Sequence, residues 1–271
     1  MRILLFYAIL FFTIDSYGNS DSTQSKSKRS NAFSISNNFK SNDIYLGTYS
    51  NAVSALYNSE IRFDFKFGLF LAVSPDVLIS SKRGASLSDI GFSIGYDQVF
   101  GEEEAWNVYA GYTFYWQNVR TSKVKVLNRF RNIQNHNFNA GVSFENDYLS
   151  PSIEMNYLTG EVSDLVITPQ IAHKFYFVES DEEKNTSELY LEPYNRFNFG
   201  TANNILIFDN PNVNDAFSLL NMEIGLRLNY SIGFFEIEPL IEYSHSFRSF
   251  TSKTVKNGDV FFGALSVNFN F

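Results

Sequence analysis

The chain contains no cysteine, so no disulfide staples it and no thiolate site holds a metal. It also lacks any apolar run approaching the roughly 20 residues that a membrane-spanning helix needs; the stretch at residues 3–12 stops well short. Basic charge is scarce. Lys and Arg number 21 against 29 Asp and Glu, a formal net charge of -8, and the isoelectric point is near 5.0. A phosphate binder needs a basic surface, so nucleic acid is excluded as a partner. Metal-ligand spacings and phosphate-cradling glycine loops are missing, and no cofactor is expected.

What the chain does have is aromatic residues. There are 29 Phe and 16 Tyr, and aromatics reach 17%, yet the mean hydropathy is slightly negative at -0.16. The excess is spread along segments in which apolar and polar side chains alternate. Side chains of a strand point alternately to opposite faces, so each segment would carry one oily wall and one wet wall. Ten segments show the pattern: 61–73, 89–97, 106–117, 137–145, 151–157, 165–177, 188–199, 222–232, 235–247 and 260–271. None has helical periodicity over a comparable length. In the third, Trp106 and Trp116 cap the same apolar stripe. A rise of roughly 3.3 Å per residue and a tilt of about 40° would set them about 25 Å apart along a membrane normal, the height of an apolar band between aromatic girdles.

The last segment places Phe261, Leu265, Val267, Phe269 and Phe271 on one wall and Ala264, Ser266, Asn268 and Asn270 on the other. A strand of this pattern ending on phenylalanine resembles the closing strand of bacterial outer-membrane β-barrels. The resemblance implies that Phe271 belongs to the signal read by the barrel assembly machinery. The start of the chain agrees: Arg2, the apolar stretch 3–12 and the small-x-small exit at Ser16, Tyr17 and Gly18 read as a secretory signal over 1–18. Residues 19–31 are polar and low in complexity, a flexible lead-in. The expected fold is therefore all-β, one antiparallel up-and-down transmembrane barrel over 32–271.

Even strand counts are the rule for such barrels. Ten segments satisfy it; a further pair from 33–39 and 44–49 makes twelve, the preferred count. In the ten-strand version, residues 32–59 form a plug or a short periplasmic segment. Barrels of this class keep short periplasmic turns and long external loops. With Phe271 at the periplasmic rim, the short links 101–104, 145–148 and 231–234 are periplasmic, as is 179–186. The links 74–87, 118–135, 200–219 and 248–258 are external.

Inward parity assigns Arg62, Asp64, Lys66, Asp89 and Asp97 to the lumen on the early segments. On the late ones it assigns Glu188, Glu192 and Arg196, then Glu223 and Arg227, then Glu236, Glu238 and Glu242. Acids outnumber bases, and strands roughly 4.8 Å apart let these side chains interlock. Either they pair into a network that fills the lumen, or the excess carboxylate lines a water-filled pore that favours cations. Tyr190 and Tyr194 share that wall and offer flat faces to a small polar solute. Outside, Arg120, Lys123, Lys125, Arg129 and Arg131 stand in one loop without an acid among them, a candidate contact for lipopolysaccharide phosphates.

Catalysis finds little support. Some outer-membrane phospholipases and deacylases use a His-x-Ser arrangement, in which imidazole activates a hydroxyl. His136, His173 and His245 do not match it; Ser246 stands one place too early. The function expected is a small porin-like channel for cations or small polar solutes in the bacterial outer membrane. The alternative is a non-conducting barrel that presents its external loops.

Overall fold

The computed structural model describes residues 31–41, 44–45, 48–49, 55–80, 84–101, 105–117, 134–146, 149–160, 162–178, 187–203, 215–247 and 256–271. The chain runs as a meander of antiparallel strands: β1 (Ala32–Lys40), β2 (Ala55–Asp64), β3 (Leu69–Ser80), β4 (Gly84–Phe100), β5 (Trp106–Gln117) and β6 (Gln134–Phe144). There follow β7 (Ser150–Gly160), β8 (Asp164–Ala172, resumed as Phe175–Val178), β9 (Glu188–Gly200), β10 (Ser218–Ile232), β11 (Phe235–Ser246) and β12 (Val260–Asn270). Each pairs with the next, and β1 pairs with β12 from Ser34↔Asn270 to Lys40↔Ala264. The result is a closed barrel of 12 strands. Closure is completed at one rim by Phe33 N donating to Phe271 O at 3.0 Å and Phe271 N donating to Phe33 O at 2.8 Å.

The alternation read from the sequence is the alternation of the wall. Phe63, Leu71, Phe92, Ile94, Val108, Ile153, Ile224, Ile241 and Phe261 are exposed on the outside. Arg62, Ser93, Thr113, Asn137, Asn156, Glu192 and Glu242, of opposite parity, are buried within. An ordinary soluble protein has the reverse distribution, because water favours apolar groups inside. A hydrocarbon surround favours them outside, and closure leaves no unpaired edge within it.

Twelve strands form, but not the expected twelve. Residues 61–73 are two strands rather than one, joined by a turn at 65–68 in which Phe65 N bonds Leu69 O at 2.8 Å and Gly68 N bonds Phe65 O at 2.8 Å. Gly68 has φ 95°, a conformation that costs glycine little and other residues more. The four-residue turn preserves parity, so the periodicity passes through it unbroken. Lys66 consequently lies exposed in the turn rather than in the lumen. Residues 44–49 supply no wall strand: Ile44–Tyr45 and Thr48–Tyr49 join Lys256–Asn257 in a separate 3-stranded sheet.

The expected external loop 74–87 is largely strand, and the link shortens to 81–83. Pro75 sits in β3 with outward parity. Proline has no N–H to give, and the β2–β3 ladder skips from Asn58↔Asp76 to Ile61↔Val73 beside it. Strand 165–177 is likewise interrupted at His173 and Lys174.

Most short links fall at one rim and most long ones at the other; 81–83 and 161–163 are short links on the rim opposite Phe271, and 179–187 is a longer one on its own rim. On the rim bearing Phe271 lie 65–68, 101–105, 145–149 and the tight turn at 233–234, where Gly233 has φ 58°. The strand ends that flank the long links 118–133, 201–217 and 247–259 lie at the opposite rim. The expected signal at 1–18, all of the lead-in but Asn31, and the basic residues Arg120, Lys123, Lys125, Arg129 and Arg131 lie outside the described residues.

Candidate functional site

The inner wall is the surface with chemistry on it, and its densest part is the arc β9–β11. Glutamates and arginines alternate there at inward positions, and the register sets them side by side: Arg196↔Glu223 and Glu192↔Arg227 are direct partners. Arg196 donates from Nε to Glu223 and from Nη2 to Glu242 Oε2 at 3.1 Å. Arg227 Nη1 donates to Glu192 Oε1 at 3.1 Å. The Tyr194 hydroxyl donates to Glu242, and its ring lies beneath both guanidinium groups, 5.5 Å from Arg196 and 5.6 Å from Arg227. Asn221 holds the other oxygen of Glu223 at 2.8 Å. A carboxylate taken from water must be paired to stay ionised, and Glu242, only 1% exposed, is met by a phenol and a guanidinium together.

Nearer the rim of Phe271 the pattern changes. Glu236 and Glu238 both accept from the Asn229 amide, Glu238 at 3.0 Å, and Glu236 accepts again from Asn268 at 3.1 Å. Glu188 and Tyr190 are buried at the start of β9, where Lys174 reaches Glu145 at 2.5 Å and lies 5.1 Å from the Tyr190 ring centre. Of the late-strand acids, Glu188, Glu192, Glu223 and Glu242 are buried. Tyr190 and Tyr194, expected as faces for a solute, are 2% and 4% exposed and packed into the wall.

Of a second charged patch only Asp89 was expected from the sequence. Lys40, Asn58, Glu60, Asp76 and Asp89 are all buried on β1–β4. Asn58 donates to Asp76 at 2.5 Å, Asp76 and Asp89 are register partners, and Glu60 Oε2 has no hydrogen-bond partner among the described residues. Carrying the even parity of Arg62 back through Glu60 and Asn58 would have found two of these residues. On the same strands, nearer the rim of Phe271, Arg62 bonds Asp64 at 2.5 Å and Asp97 at 3.3 Å.

The inner wall of β5 and β6 is neutral, while β7 and β8 add Glu154 and Asp164. Cross-strand glycines accept aromatic rings: a Cβ on Gly141 would stand 2.5 Å from the Tyr109 ring, and Gly225 and Gly95 leave equally little room beside Tyr194 and Phe70. On the outer face Trp106 and Trp116 stand exposed at opposite ends of β5, and Trp106 packs on Phe144 at 4.7 Å. Phe271 stacks on Phe234 at 5.5 Å. The histidines keep away from the lumen carboxylates: His136 bonds Tyr112 at 2.7 Å, His173 packs edge-on against Phe175, and His245 bonds Asp259 at 2.6 Å.

No family model and no curated protein matches the sequence. Solved structures do match. An outer-membrane channel from Pseudomonas putida F1 superposes with a TM-score of 0.52 at 9% identity, over 92% of this chain and 99% of that one. LpxR from Salmonella typhimurium gives 0.50 at 9% identity, over 87% and 99%. The fold is that of an outer-membrane β-barrel. At such identity the likeness extends to the architecture and no further.

Proposed function

We propose that this barrel resides in a bacterial outer membrane and passes small polar solutes through its lumen, cations in preference to anions. The observation that carries the reading is the inner wall: polar side chains on every strand, with carboxylates in excess of lysine and arginine among its buried residues. Such a wall lowers the energy of a cation in a narrow aqueous path and raises that of an anion. In the same reading residues 1–18 direct export, Phe271 is read during assembly, and the basic residues 120–131 meet lipopolysaccharide phosphate. In the same reading the role is transport rather than catalysis.

A second reading has its own support. Glu192, Glu242 and Tyr190 are almost wholly buried, as they would be in a barrel whose side chains fill the lumen. Planar-bilayer recording of the full chain decides between them. A steady current with a cation-favouring reversal potential supports the channel; persistent silence from a folded barrel overturns it in favour of a closed barrel that presents its loops.

A further inference from the structure

The acids of the inner wall are held in two different ways, and the difference bears on which of them an ion would sense. Glu223 and Glu242 share the guanidinium of Arg196, and Glu192 faces that of Arg227. Each of these carboxylates has a cation at contact, so its field is largely cancelled a few ångströms away. Glu236 is held instead by amides. Asn229 donates to one oxygen and Asn268 to the other, and no lysine, arginine or histidine among the described residues pairs with it. Amide donors fix its orientation, but they carry no net charge to oppose it.

Position reinforces the contrast. Glu236 is the second residue of β11, just beyond the tight turn at 233–234, and its register partners are Ser231 and Asn268. That is the mouth on the rim of Phe271. Glu238 follows on the same wall, drawn towards Glu236 by the amide they share. Unlike Glu192 and Glu242, Glu236 is not buried.

We infer that Glu236 sets the charge selectivity of the lumen from the mouth beside Phe271, while the arginine-bridged acids further in shape the passage without selecting. The inference rests on the channel reading given above. Selection arises where an uncompensated charge meets the ion at the entrance, in a low-dielectric wall that concentrates its field.

The chain has no cysteine, which makes a test with thiol reagents clean. The full-length barrel is recorded in planar bilayers under a KCl gradient. Glu236→Gln keeps an acceptor for the Asn amides and should lower the cation-to-anion permeability ratio by about twofold or more. In Glu236→Cys, a sulfonate-bearing methanethiosulfonate should restore the ratio, and an ammonium-bearing one should depress it further. Asn268→Asp, which adds a charge at the same mouth, should raise it. A conducting barrel whose ratio is unmoved by Glu236→Gln and by both reagents overturns this inference alone. A folded wild-type barrel that stays silent overturns the channel reading and this inference with it.

Discussion

Along β9–β11 the lumen face is built from glutamates bridged by arginine, whereas the stretch of β4–β6 between the levels of Asp89 and Asp97 carries glycine, serine, threonine, asparagine and tyrosine on that face; the barrel closes through both. In the first arc, Arg196 and Arg227 fill space and neutralise charge at once, lying over the Tyr194 ring. In the second, there is no charge to neutralise along Gly91, Ser93, Gly95, Gly111 and Thr113. Space is filled by rings leaning over glycines, as Phe70 does over Gly95. A wall wet on one side needs partners for its polar groups and atoms for its voids. The two arcs satisfy both needs by different means, and so they should fail differently.

The largest failure belongs to the ionic arc. Arg196→Met would leave Glu223 and Glu242 facing each other without the guanidinium they share. Breaking a buried pair from one side costs about 3–5 kcal/mol, to be read as a fall in the urea unfolding free energy of the barrel refolded in lipid. Changing Glu223 and Glu242 to glutamine in the same chain should recover most of the loss, because the uncompensated charges go with the arginine. If the single change costs under about 1 kcal/mol, charge does not hold this arc and the contrast is void.

How much of this could be read from residues alone follows from what each feature depends on. The wall's two faces depend on parity, a local property, and Phe261 to Phe271 displayed it in full. The hairpin inside 61–73 was hidden for the same reason: an even-length turn rich in phenylalanine continues the pattern across Gly68. The stretch 74–87 was drawn as a loop although it is largely strand; Pro75, facing outward, breaks the ladder locally without ending its strand. Which acid meets which arginine depends on the register between strands. The sequence placed Glu192, Arg196, Glu223 and Arg227 on one wall, but the pairing of Arg196 with Glu223 and of Arg227 with Glu192 needed the structure. Glu60 and Asp76 were missed because a strand was started too late and a loop drawn too long.

The neutral arc should fail sterically and by less. A Cβ on Gly95 would stand 2.6 Å from the Ala110 carbonyl oxygen and press on the Phe70 ring as well. The carbonyl belongs to the ladder and cannot retreat, so Gly95→Ala should cost about 1–3 kcal/mol, the usual range for overpacking. Gly263→Ala on β12 supplies the control. There the nearest atom would be 3.6 Å away, and the change should fall within about 0.5 kcal/mol of the wild type. Equal losses at the two glycines would show that backbone freedom, rather than the ring above Gly95, is what the residue provides.

The smallest effect gives the finest measure of the contrast. Ser93 and Thr113 share a hydroxyl hydrogen bond of 2.9 Å on the neutral arc, both nearly buried. Ser93→Ala removes one partner and leaves the Thr113 hydroxyl to find another, at a cost of about 1 kcal/mol. Adding Thr113→Val replaces the second hydroxyl by a group of similar shape, and the pair together should cost less than the single change, since a matched apolar couple leaves no orphaned group. This is the recovery expected for Arg196 with its glutamates, scaled from ionic to neutral bonding. Were Ser93→Ala to destabilise the barrel as much as Arg196→Met, polarity itself rather than charge would be the quantity that the inner wall must balance, and the two arcs would be one device.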